Sequence, residues 1–90
     1  MDQETTLQQI EEYASLFFTI REISLLLDLD PDLLRREIRH SRSDIALAYQ
    51  RGKLKNLVAI RKMTVEFAKK GSPQAEMLVK EYVEKMESDE

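Results

Sequence analysis

Leu7, Ile10, Ala14 and Phe17 recur at helical spacing, with Tyr13 beside them and Gln8, Gln9, Glu11 and Glu12 on the opposite side. A stripe of that period predicts an amphipathic helix over about Thr6–Phe17. No stretch shows a sustained period-two alternation of β-branched residues, so no strand is expected. The second helix has a marked start: Thr19-Ile20-Arg21-Glu22 fits T-x-x-E, in which hydroxyl and carboxylate each satisfy an orphan backbone N–H. Phe18 and Ile23 are spaced to form the hydrophobic staple across that start. This helix ends near Leu27, because Asp28-Leu29-Asp30-Pro31 reads as a turn into a new N-terminus. There Asp30 is the N-cap, Pro31 occupies the first helical position and Asp32 complements the dipole. A third helix runs from Pro31 to about His40.

Ser41-Arg42-Ser43 interrupts the pattern, and Ser43 is placed to cap a fourth helix. Apolar positions then continue through Ile45, Ala48, Tyr49, Gly52, Ile60, Met63 and Phe67. Unbroken to Lys70, that helix would span roughly 42 Å at 1.5 Å per residue. A compact domain of this size has a radius of gyration of only ~13 Å. Such a helix must bend or be covered by another subunit. Gly52, which costs about 1 kcal/mol against alanine in a helix interior, is a position where the helix can bend. Lys69-Lys70-Gly71-Ser72-Pro73 closes one helix with lysines and a glycine and opens the next with a serine cap and a proline. The last helix, about Pro73–Met86, carries Ala75, Leu78, Val79, Tyr82, Val83 and Met86 on one face. So short a connection folds it back on the fourth helix as an αα-hairpin.

Composition narrows the class. Ninety residues make one domain, and 42% hydrophobic with 34% charged residues suits a globular chain rather than a disordered one. The absence of cysteine excludes disulfides and thiolate metal sites. Met1-Asp2-Gln3-Glu4 has no basic or apolar leader character, and the longest apolar run, Leu25 to Leu27, is far too short for a membrane span. A cytoplasmic protein without membrane contact is expected. The net charge of −3 hides a segregation: residues 1–30 sum to −6, residues 31–70 to +7 with eleven bases, and residues 71–90 to −4. A local basic potential, not the net charge, steers a polyanionic partner. The alternative is a set of solvated faces whose charges sort unevenly.

A short capped helix, a tight turn and a second short helix suggest a helix-turn-helix. Ile20 to Arg39 resembles that motif: Ile23 and Leu34 take its buried positions, Ser24 its small one, and Leu27 and Leu29 flank the turn. Asp28 stands where glycine is common, and Ile38 takes the apolar role one residue after Glu37. With Leu34 and Ile38 inward, Arg35, Arg36, Arg39 and His40 spread over the remaining faces, and Arg42 follows them. Arginine clamps phosphates and reads guanine bidentately, so these five are the candidate DNA-binding residues. Asp30 and Asp32 would repel phosphate at the N-terminal end of the third helix. The competing reading pairs that basic helix with the acidic first helix. Enzyme chemistry has no footing: His40 has no partner at ligand spacing, and no nucleophile motif or Gly-rich phosphate loop occurs. No metal or cofactor is expected. The six aromatics and the methionines read as packing residues.

Phe67-Ala68-Lys69-Lys70-Gly71-Ser72-Pro73-Gln74-Ala75 is similar to the L-A-x-x-G-[polar]-x-x-A hairpin of small terminase subunits of tailed phages and related prophage proteins. Upstream, Ala48-Tyr49-Gln50-Arg51-Gly52-Lys53 resembles the start of that family's long helix, so the resemblance covers about residues 18–80. It implies an all-α fold, with an N-terminal helix-turn-helix of three short helices over residues 1–42. A long helix and a C-terminal antiparallel hairpin would occupy residues 43–90 and serve oligomerisation. It also implies double-stranded DNA as partner, contacted by Arg35, Arg36, Arg39 and His40, assembly of the chain with itself, and a separate large subunit carrying ATPase and nuclease. The setting would be the cytoplasm of a bacterial host or phage-infected cell. A helical interaction or assembly module, or a small transcriptional regulator, is the alternative.

Overall fold

The computed structural model of the chain describes residues 3–40 and 42–90; Met1, Asp2 and Ser41, the last expected in the break after the third helix, lie outside the described residues. Among the described residues there are six helices and no strand: α1 Gln3–Ser15, α2 Ile20–Leu26, α3 Pro31–Arg39, α4 Asp44–Lys55, α5 Leu57–Lys69 and α6 Pro73–Asp89. None is long and apolar enough to cross a membrane.

Local chemistry sets the ends. The Glu22 N–H donates to Thr19 Oγ1 at 3.1 Å and the Thr19 N–H to Glu22 Oε1 at 2.9 Å, a complete capping box. Asp30 accepts from the Asp32 N–H at 3.0 Å, Ser43 from Ala46 at 3.0 Å and Ser72 from Ala75 at 3.3 Å. Three helices end in one way. The N–H two residues past the last turn reaches back five positions: Phe18 to the Tyr13 carbonyl, Leu29 to Ser24 and Ser72 to Phe67. This is the Schellman arrangement, which requires a left-handed residue just before the donor. Those residues are Phe17 (φ 67°), Asp28 (φ 56°) and Gly71 (φ 93°). Only the last has no Cβ to strain.

The chain divides into two compact units, Met1–Asn56 and Leu57–Glu90. In the first, α1 lies along α4, α4 also packs on α3, and α2 packs on α3 with a smaller contact to α1. Ile10, Ala14, Ile23, Leu27, Leu34 and Ala48 form the buried centre, with Leu7, Tyr13, Phe18, Ile38 and Tyr49 packed around it. Tyr13 and Phe18 meet edge to face at 5.8 Å. Ser24 is fully buried, its hydroxyl satisfied by the Arg21 carbonyl at 2.7 Å. In the second unit α5 and α6 pack on each other across the turn at 70–72, with the Arg61 guanidinium 4.5 Å over the Tyr82 ring.

Two expectations need correction. The single long helix from Ser43 to Lys70 is two helices, interrupted at Asn56 and not at Gly52. Asn56 turns its side chain outward from the helix line, and Nδ2 donates to the Ser15 carbonyl at 2.8 Å, answering an orphan acceptor at the end of α1. Gly52 serves contact instead of bending. A Cβ there would overlap the Glu11 carbonyl oxygen and approach Ala14 Cβ to 2.7 Å, so hydrogen at this position lets α1 and α4 cross closely. Because α4 packs on α1 and α3, it belongs to the first compact unit, which runs to Asn56.

Candidate nucleic-acid interface

The turn at Asp28 aims α3. Leu27 and Leu34 are 6% and 2% exposed on either side of it, and Ile38, one turn after Leu34, packs against the same core. That fixes the rotation of α3 and leaves Asp32, Arg36 and Arg39 on its exposed side. Arg35 is lateral and half-buried; its Nη1 lies 3.4 Å from Asp32 Oδ1 in an i,i+3 pair. An exposed pair of that kind is worth only about 0–1 kcal/mol, yet it holds one of the five candidate bases against a carboxylate. Arg36, Arg39, His40 and Arg42 are exposed and make no ion pair among the described residues.

The junction after α3 is held from both sides. His40 is the C-cap residue, its N–H donating to the Glu37 carbonyl at 3.1 Å. The Ser43 hydroxyl donates to the same carbonyl at 2.8 Å while accepting from Ala46 N–H, so one side chain joins the end of α3 to the start of α4. Arg39, His40 and Arg42 therefore leave a short connection whose two ends are tied together.

The acidic first helix does not answer these bases, because α1 packs on α4 and has no packing contact with α3 among the described residues. Its Glu4 and Glu11 line a groove of ≈ 270 Å³ together with Asp44 and Arg51 of α4. Lys53 lies 5.5 Å over the Tyr49 ring. Sequence reasoning missed the placement of Arg51, since it depends on which helix α4 meets, whereas Tyr49 and Lys53 are i, i+4 neighbours on α4 itself. The eleven central bases are divided as well: seven belong to the first unit and four to the second. Counted by unit, the formal charges are −2 for residues 1–56 and −1 for residues 57–90. The exposed bases of the first unit thus gather in two places, the end of α3 with the connection after it and Arg51, Lys53 and Lys55 at the end of α4, within a unit that is nearly neutral.

Among the described residues no group of three His, Asp or Glu side chains is placed to hold a metal ion. No protein-family model, curated protein or solved structure matches this chain.

Proposed function

We propose that the chain binds double-stranded DNA, with α2 and α3 acting as a helix-turn-helix and α3 as the recognition helix. The observation that carries this reading is the Asp28 turn. Its left-handed residue joins two short capped helices, buries Leu27 and Leu34, and turns Arg36, Arg39, His40 and Arg42 to solvent. Asp30 and Asp32 repel phosphate at the start of α3, so the duplex is met by the later half of the helix and by Arg42. Arg35 contributes from the side, after release from Asp32. Affinity then comes mainly from counterions displaced by guanidinium groups.

Within this reading the chain acts as the small subunit of a phage packaging terminase, its α5 and α6 serving as an oligomerising hairpin while a separate large subunit supplies ATPase and nuclease. A small transcriptional regulator uses the same DNA contact. A helical assembly module is the reading from a different class, favoured by Leu25, Leu26 and Leu33, which leave 67%, 53% and 48% of their surface exposed on α2 and α3. Duplex titrations over a salt series separate them. DNA binding predicts a linear log–log dependence, and Arg36→Ala/Arg39→Ala lowers its slope by roughly 1.8, about 0.9 per lost phosphate contact. No duplex binding at low salt overturns the DNA reading and leaves the assembly module.

A further inference from the structure

Arg61 is the one base of residues 57–90 that is half-buried; Lys62, Lys69, Lys70, Lys80 and Lys85 are exposed. Its guanidinium lies 4.5 Å over the Tyr82 ring, and its Nε is buried with no hydrogen-bond partner among the described residues. No carboxylate pairs with it there either. A desolvated charged donor without an acceptor costs free energy, and an arriving acceptor recovers it. The surroundings say which acceptor fits. Two open grooves share Arg61 and Val65, one of ≈ 540 Å³ that reaches Val58 and one of ≈ 360 Å³ lined by Val79, Val83 and Met86. Their other charges are Lys62 and Glu66, and Glu66 is held by Lys69 at 3.5 Å. The walls take aliphatic side chains and the centre takes one carboxylate.

Val58, Arg61 and Val65 stand at i, i+3 and i+7 of α5, the two valines about 10 Å apart at 1.5 Å per residue. A helix laid along α5 presents the matching row: aliphatic residues at i and i+7, with a glutamate at i+3 or i+4 according to its direction. This chain has no such row to spare. The spacing occurs in it only as Leu7, Glu11 and Ala14 and as Phe18, Glu22 and Leu25. Leu7, Ala14 and Phe18 are committed to the core of the first unit, and Glu22 is closed into the Thr19 cap. Neither the first unit nor a second copy therefore supplies the row with its own fold intact. A fatty acid carries its carboxylate at one end of the chain, whereas Arg61 has valines on both sides. The occupant that fits is an amphipathic helix of another protein.

We propose that the groove between α5 and α6 binds an amphipathic helix of a second protein, its aliphatic residues on Val58, Val65 and Val83 and one glutamate on the Arg61 guanidinium. The contact is independent of the DNA reading. It also leaves Ile60, Met63 and Phe67, which line neither groove, to the self-association proposed above. Fluorescence anisotropy of labelled alanine-based peptides titrated with the full chain tests it, the peptides being about 18 residues long so that they sustain a helix. One peptide carries Leu, Glu and Leu at i, i+4 and i+7, and two others replace the Glu by Gln or by Lys. The Glu peptide binds at least about tenfold tighter than the Gln peptide, as a hydrogen bond to a charged group implies, and the Lys peptide binds weakest. Arg61→Met, which keeps an unbranched stem beside Tyr82, abolishes the difference between Glu and Gln, and Arg61→Glu turns the preference to the Lys peptide. Equal affinity of the unaltered chain for the Glu and Gln peptides overturns the proposal whatever the variants do. So does a Glu preference that survives Arg61→Met with helix content retained in circular dichroism. Anisotropy that stays flat for all three peptides up to about 1 mM chain also overturns it and leaves the groove to another part of this chain. Displacement of the Glu peptide by equimolar dodecanoate overturns it in favour of an anionic amphiphile.

Discussion

Gly52 and Asp28 show how differently two residues can depart from the expected side chain. Gly52 is required by space: any Cβ meets the Glu11 carbonyl and Ala14 across the crossing of α1 and α4. Gly52→Ala gains about 1 kcal/mol of helix propensity but overpacks a backbone contact. The expected net loss is about 1–3 kcal/mol, read from chemical denaturation at fixed protein concentration. Asp28 is the opposite case, a side chain at φ 56° where nothing but its own backbone objects, and it also sets a carboxylate at the negative end of α2. Asp28→Gly should stabilise the first unit by about 0.5–1 kcal/mol in the same measurement. Residue-level signals of the capping kind were legible in the sequence because they are local. Thr19 with Glu22, Asp30 with Pro31, and Gly71 with Ser72 and Pro73 carry their instructions within four positions. Gly52 was legible only as an exception, since its reason lies on a helix about forty residues earlier.

At the scale of the element, the break at Asn56 is the clearest limit of periodicity. The apolar spacing of α4 runs on into α5, and asparagine is merely neutral in a helix, so neither signals a stop. The stop depends on the Ser15 carbonyl arriving beside Asn56, which occurs only once α1 lies along α4. α3 was easier to read, because its two inward residues, Leu34 and Ile38, fix the direction of the rest. What periodicity left open was which arginines are held. The Asp32 contact sets Arg35 apart from Arg36. On the DNA reading, Arg35→Ala costs less duplex affinity than Arg36→Ala, because part of its interaction is already spent on Asp32. Parallel titrations at one low salt concentration give the order, and a larger loss for Arg35→Ala would reassign the contacting face.

For the whole molecule, neither the net charge nor the segment charges describe what a partner meets. The +7 of residues 31–70 crosses the boundary between two units that are each close to neutral, and its exposed bases gather at the end of α3 with the following connection, at Arg51, Lys53 and Lys55, and at Lys69 and Lys70. All-helical architecture was readable from the missing period-two pattern. The division after Asn56 was not, because it depends on α4 joining the first core. The two units also differ in kind, one built around Ile10, Ile23 and Leu34, the other leaving Met63 and Phe67 in water.

The amide of Asn56 gives that division an unusually sharp edge. Its Nδ2 belongs to the first unit by its bond to Ser15, although its backbone stands at the threshold of α5. A chain truncated after residue 56 retains this clasp and one truncated after residue 55 loses it. Those two products, which differ by Asn56 alone, should differ by at least about 0.5–1.5 kcal/mol in unfolding free energy, the net worth of one hydrogen bond. Stepwise shortening from the C-terminus would therefore locate the end of the first unit to a single amino acid.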